Sequence, residues 1–411
     1  MKKRKVYVGA AFVAVLVALG AGQALLDRTA AQAKQVPRFE VDPFWPKPLP
    51  NNWVHGMTIG IGISSDDHVW VIHRGNDPGN LDRTELAVVK PGAPPVGECC
   101  NPAPPVLEFD AAGNLVGSWG GQPKDNSYDW PESNHGIVVD HKGFVWIGGN
   151  GGPDAHILKF TRDGKFVAQY GKKNARLKEG SSGDKPQYVA NSLDMNNFGR
   201  VAKIFIDPKA NEGYVADGYF NHRVAVIDLD SGKITRVWGA YGNPPTDEPM
   251  GPYTPGEPPA KQFRTPVHCA EMANDGMVYV CDRPNDRVQI FTREGKFVKE
   301  VFVAPQTRAD GSVWDIAFSK DPQQTWLYMA DGVNEHVRVF NRATMEEVYN
   351  FGYGGRQPGM FLGVHSIAVD SKGNIYTTET YTGKRLQRFN FKGMGATPKS
   401  GQVPWPTSTS K

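Results

Sequence analysis

From about residue 50 onward, apolar and polar residues alternate over runs of four to seven positions, and short clusters of Asp, Asn, Lys and Gly separate the runs. Period-two alternation predicts half-buried β-strands, and clusters of this kind predict tight turns. One unit recurs: an apolar strand, a polar turn, then a strand of apolar and aromatic residues. Its copies lie at 57–63 with 68–72, 136–140 with 144–147, 203–207 with 213–216, 269–273 with 277–281, 314–319 with 326–330, and 366–370 with 374–378. Third strands follow at 223–228, 287–292, 336–341 and 386–389, and fourth strands behind a turn at 164–171 and 295–300. Four short antiparallel strands make one propeller blade, and six such units predict an all-β, six-bladed β-propeller. No helix is expected in the body of the chain. The Pro/Gly-rich stretches 91–105 and 243–259 are expected to be loops between blades.

The N-terminus departs from this pattern. Lys2 to Lys5 form a basic cluster, 6–19 an apolar stretch, and Ala31-Gln32-Ala33 a small-residue cleavage site. This reads as a secretory signal peptide over 1–33, or as a retained anchor helix, and either places the body outside the cytoplasm, in the periplasm or beyond the cell. The expected organisation is a leader 1–33, an N-terminal extension 34–49, a propeller 50–393 and a C-terminal tail 394–411. No later segment is apolar enough to cross a membrane, and the chain is expected to act as a monomer.

Composition narrows the picture. With 411 residues, 39% hydrophobic and 22% charged, the chain is long enough to bury a large core and unlike a disordered protein. Its formal charge of +3 includes the basic leader, so nucleic acid is not an expected partner. Of the four cysteines, Cys269 and Cys281 flank a hairpin with Asn274-Asp275-Gly276 at its tip. Pairing Ala273 with Met277 sets the two cysteines opposite each other, compatible with a cross-strand disulfide at a position without ladder hydrogen bonds, or with two buried thiols.

The candidate chemistry lies on the first strands. Alignment of the repeats puts His135, His268 and His365 at one register position in blades 2, 4 and 6. Three imidazoles on alternate blades form a threefold set around the axis that suits one metal ion with a fourth position open, as in catalytic zinc sites. Arg74, Arg283 and Tyr219 fall near second-strand ends on the same face: two guanidinium forks suit a carboxylate-bearing substrate, and a phenol beside a metal suits a base. Each also has a plainer reading. Channel histidines bond to water and backbone, Arg74 and Arg283 can pair with blade aspartates as Arg223 and Arg287 do, and Tyr219 can be a rim aromatic.

The stretch from Val278 to Phe291, VYVCDRPNDRVQIF, resembles NHL-type propeller repeats. A second resemblance is more specific. The phrases His73-Arg74-Gly75, His135-Gly136-Ile137, Asp217-Gly218-Tyr219-Phe220-Asn221-His222-Arg223, Val267-His268, Asp282-Arg283-Pro284-Asn285-Asp286-Arg287 and Val364-His365 resemble, in order, those of peptidyl-α-hydroxyglycine α-amidating lyases. The resemblance implies zinc on His135, His268 and His365, Tyr219 as base, Arg74 and Arg283 on the substrate, and cleavage of a peptidyl- or N-acyl-α-hydroxyglycine to an amide and glyoxylate. Two positions depart from the family. Ser366 replaces an Asp that helps hold calcium, which argues against that ion, and Gly363 replaces a Met, which opens one wall of the pocket. Two other classes remain: a lactonase-type propeller hydrolase, which would favour carboxylate-held calcium, and a non-catalytic binding or scaffold propeller.

Overall fold

The computed structural model describes residues 35–406 apart from 76, 78, 89–91, 182 and 184, so the expected leader 1–33 lies outside the described residues. Six four-stranded antiparallel sheets form the blades of a β-propeller. Their inner strands are Thr58–Ile63, Asn134–Val139, Val201–Asp207, Val267–Met272, Asp315–Phe318 and Val364–Val369, and successive inner strands pack side by side around the axis. Among the described residues the helical segments are two 3-10 turns, Ala240–Gly242 and Arg283–Asn285, and no helix is long and apolar enough to cross a membrane.

Two repeated polar devices explain why the sequence folds into these units. At the first hairpin turn, an aspartate side chain accepts backbone N–H groups across the turn: Asp140 takes Lys142 and Phe144, and Asp370 takes Lys372 and Asn374. The glycine that follows, Gly143 or Gly373, adopts φ of +85°, a conformation that costs a side-chain-bearing residue energy. At the other end of the hairpin, an acid closing the second strand pairs with an arginine near the start of the third. Asp217 holds Arg223 at 2.8 Å, Asp282 holds Arg287 at 2.6 Å, Asp331 holds Arg338 at 2.8 Å and Glu379 holds Arg385 at 2.7 Å. Arg223 and Arg287 are fully buried framework residues, as the repeat pattern suggested.

Three placements differ from the sequence reading. Gln35–Asp42, expected as an extension before the propeller, is the outermost strand of blade 6, antiparallel to Leu386–Ala396. That last strand therefore reaches residue 396, into the expected tail. The ring closes by joining the two ends of the described chain, with Phe39 and Val41 buried against Phe351, Phe361 and Phe389. An eight-residue strand pairing over such a sequence distance leaves no local signal. Finally, the loop containing 91–105 lies within blade 1, between Val69–His73 and Val106–Phe109, whereas 243–259 does connect blades 3 and 4.

Cys269 and Cys281 are directly opposite across the first hairpin of blade 4, with Cα atoms 4.8 Å apart, and they are disulfide-bonded. The separation is that of a pair without ladder hydrogen bonds. Cys99 and Cys100 are also bonded to each other, so among the described residues no cysteine is free. Replacing Cys269 and Cys281 together by Ala is expected to lower unfolding free energy by about 3 kcal/mol, the chain-entropy contribution of a loop this short. Urea titration of the two proteins measures it, and alkylation of two thiols in the native unreduced protein would contradict the bond.

Candidate metal centre on the propeller axis

His135, His268 and His365 occupy the same register position on the inner strands of blades 2, 4 and 6, and all three are 2% exposed. Their ring centroids are 4.8 to 5.1 Å apart, and their candidate ligand atoms lie within 4.8 Å of one another. The intervening blades 1, 3 and 5 carry Ile59, Ala202 and Trp314 at that register, and each offers its backbone carbonyl to the preceding imidazole. Nδ1 of His135 lies 2.6 Å from the Ala202 oxygen, Nδ1 of His268 2.5 Å from that of Trp314, and Nδ1 of His365 2.8 Å from that of Ile59. Close approach of the strands requires small residues beside the histidines: a Cβ on Gly136 would stand 2.9 Å from the Ala202 oxygen.

These bonds fix the protons. A carbonyl can only accept, so each Nδ1 carries the hydrogen and each neutral ring turns a bare Nε2 lone pair inward. Burial first, and then the neighbouring imidazoles and guanidiniums, hold all three well below the ordinary histidine value. Tyr219 joins them, its hydroxyl 2.9 Å from Nε2 of His135 and 3.0 Å from Nε2 of His268. One phenolic proton cannot satisfy both nitrogens. Converging lone pairs with one hydrogen to share, and neutral nitrogen donors without a carboxylate, fit a borderline cation such as zinc better than calcium.

Two arginines flank this centre. Arg283 donates from Nη1 to the Tyr219 hydroxyl at 3.3 Å, lies over the Trp314 ring at 4.4 Å, and meets Asp310 at 3.4 Å. Unlike Arg287 it does not pair with Asp282. Arg74 is anchored by Nε to the Asn134 oxygen at 2.9 Å and by Nη2 to Asn150 at 2.7 Å, with Asp77 3.9 Å away. Burial raises the Asp77 carboxyl to about 7 even though Arg74 pulls it down. The wall that Gly363 was expected to open faces Tyr381: a Cβ on Gly363 would lie 3.2 Å from that ring. Tyr381 donates to Asp310 at 2.8 Å, and burial and this bond push its hydroxyl up to about 12.

All six residues singled out in the sequence thus gather at one end of the channel. Sequence reasoning missed Trp314, Asp310, Tyr381 and Asn150. Trp314 was within reach, because the alignment that finds the histidines also places it at their register in blade 5. The other three stand on loops that the repeat does not cover. His73, next to Arg74, is a structural pin: Nδ1 accepts from Gly75 at 2.9 Å and Nε2 donates to the Pro104 carbonyl at 2.9 Å.

The fold and the site together define a six-bladed β-propeller with a three-histidine centre on its axis. No family model matches the chain. Among curated proteins it is similar to peptidyl-glycine alpha-amidating monooxygenase A of Xenopus laevis, with 24% identity over 266 residues covering 64% of this chain and 24% of that protein. It is similar also to the peptidyl-glycine alpha-amidating monooxygenase of Mus musculus, with 24% identity over 249 residues covering 60% of this chain and 22% of that protein. The chain therefore spans about a quarter of the length of the curated relatives it matches. Among solved structures it is similar to a virginiamycin B lyase from Staphylococcus aureus, with 12% identity, a TM-score of 0.46, and coverage of 86% of this chain and 99% of that one.

A pH dependence follows from the buried imidazoles. His73 is pushed down to about 3, by burial and then by His55, and the three channel histidines are depressed in the same direction. The unfolded chain takes up protons near its ordinary value of about 6.5 that the fold refuses. Stability of the metal-free protein should therefore be full above about pH 6.5 and fall below it, by up to about 1.4 kcal/mol per pH unit for each ring still neutral in the fold. Urea titrations in chelator at about pH 7.5, 6 and 5 measure this, and equal stability at all three would contradict it.

Proposed function

We propose that this protein is an exported, zinc-dependent lyase that cleaves the C–N bond of a carbinolamide, such as a peptidyl- or N-acyl-α-hydroxyglycine, to an amide and glyoxylate. The observation that carries the reading is the convergence of three Nε2 lone pairs and one phenol oxygen between two guanidiniums. The partial likeness to amidating enzymes supports it. Export rests on the leader-like sequence at 1–33, and the expected partner is a small carboxylate-bearing or peptide substrate, with the chain acting as a monomer.

The three imidazoles would hold the ion, and a zinc ion so held supplies Lewis acidity to a substrate oxygen. The protein's own groups do the rest. Arg283 exchanges its loose contact with Asp310 for the substrate carboxylate, while the Trp314 ring keeps the guanidinium in place. Arg74, with Nε and Nη2 committed, adds charge and a remaining nitrogen at the opposite side. Tyr219, already within hydrogen-bond distance of two ligand nitrogens, would act as the base in its phenolate form, its own proton having been lost when the site is occupied, and would take the proton of the substrate hydroxyl. As the C–O bond becomes a carbonyl, the C–N pair leaves with the amide nitrogen, which receives the proton that Tyr219 took from the hydroxyl and so returns Tyr219 to its phenolate form. Products are a primary amide and glyoxylate.

The two roles fail differently under mutation. Tyr219→Phe should keep bound zinc and KM while lowering kcat about 100-fold or more, the typical contribution of a positioned proton acceptor. Arg283→Ala should mainly raise KM for acidic substrates and make the enzyme insensitive to inhibition by added glyoxylate. Glyoxylate release from an N-acyl-α-hydroxyglycine measures both. Full activity in Tyr219→Phe would remove it as the base, and a zinc-loaded wild type inert towards every such substrate would overturn the lyase reading.

A further inference from the structure

One residue beyond the carbonyls that orient the histidines, a buried ion pair crosses the channel. Lys203 follows Ala202 on the inner strand of blade 3, and Asp315 follows Trp314 at the start of that of blade 5. Lys203 Nζ lies 2.7 Å from Asp315 Oδ1 and 3.0 Å from Oε1 of Glu271, which projects from the blade 4 strand between them. Asp315 is 1% exposed, and its other oxygen, Oδ2, accepts the backbone N–H of Ile367 at 3.0 Å, two residues beyond His365. Its Oδ1 also accepts the N–H of Ile316 at 2.9 Å.

The amide joining Ala202 to Lys203 carries the oxygen that binds His135, and the amide joining Trp314 to Asp315 carries the oxygen that binds His268. The ion pair thus ties together the two peptide units that set two of the ligands, and the Ile367 bond ties in the strand of the third. We propose that Lys203 and Asp315, with Glu271 as the second anion on the ammonium, are positioning residues for the metal centre: they hold three blades in the register at which the three Nε2 atoms converge. The inference rests on the metal reading of the triad.

Its consequence is specific. A buried ion pair is a poor source of stability, since exchanging both charges for neutral groups of similar size is often close to neutral, whereas leaving one charge alone is costly. Were stability the function of the cluster, neutral replacement of all three charges would leave the centre unchanged. If its function is position, metal affinity falls while the fold persists.

The test compares the wild type, Lys203→Met, Asp315→Asn, the triple variant Lys203→Met/Glu271→Gln/Asp315→Asn, the conservative Lys203→Arg, and Arg338→Met as a framework control remote from the channel. Zinc affinity is read by chelator competition, ligand geometry by the visible spectrum of the cobalt(II) form, and folding by thermal unfolding of the metal-free protein. The triple variant, which leaves none of the three charges unpaired, should keep an unfolding midpoint near that of the wild type and bind zinc about 10- to 100-fold more weakly, with an altered cobalt spectrum, the range expected when the outer support of metal ligands is lost. Lys203→Arg should keep most of the affinity, and Arg338→Met should lower the midpoint without changing affinity. Wild-type affinity and spectrum in the folded triple variant would overturn the positioning role and leave the metal reading intact. A wild type that binds no transition metal would overturn both. If the single variants do not fold, the triple variant decides.

Discussion

Three hydrogen bonds between neighbouring blades organise the centre of this molecule: Nδ1–H of His135, His268 and His365 to the carbonyls of Ala202, Trp314 and Ile59. Each joins an even blade to the odd blade that follows it, so the threefold chemistry is laid over a sixfold fold. They decide which nitrogen of each ring is protonated, and so which turns inward as a lone pair. Without them the rings would be free to flip or to exchange tautomers, and the set would have no defined donor atoms. The chemistry proposed for Tyr219 depends on the same bonds, because its hydroxyl meets two of the nitrogens they expose.

Such an arrangement asks the scaffold to hold six inner strands at a common height. The propeller does so through devices that recur among the blades, the turn aspartate and the buried acid-arginine pair of blades 3 to 6, and through one that occurs once, the N-terminal strand completing blade 6. The buried arginines of the blades sit in close pairs with acids. Arg283 is the exception, and one that suits the proposed function. Its framework counterpart Arg287 is locked to Asp282 at 2.6 Å, whereas Arg283 has only a 3.4 Å contact with Asp310 and rests on an aromatic face. A guanidinium held in position by a ring, with a weakly engaged counter-ion, is ready to accept a carboxylate.

The fold and the gathered site residues were legible in the sequence for a physical reason. Strand alternation, turn glycines and the first-strand register repeat six times, and a repeated signal outweighs errors in any one copy. The same register that selects His135, His268 and His365 fixes their neighbours, so their convergence on the axis follows from the fold itself. What escaped notice was what does not repeat. The closing strand Gln35–Asp42 pairs with residues more than three hundred positions away, and no local pattern marks it. Asp310 and Tyr381 come from loops, whose course depends on packing rather than on periodicity. Lys203 and Asp315 were visible as charged residues at inner-strand positions, but only the geometry shows that they face each other across the channel.

The account stands on a metal ion at the meeting point of the three Nε2 atoms. Anomalous diffraction from crystals of the protein expressed with zinc, collected on both sides of the zinc absorption edge, tests this most directly. The account predicts one strong anomalous peak on the propeller axis, bonded to Nε2 of His135, His268 and His365 at about 2.0 to 2.1 Å. A channel without such a peak in zinc-supplied crystals, or a peak held by other residues, would contradict it.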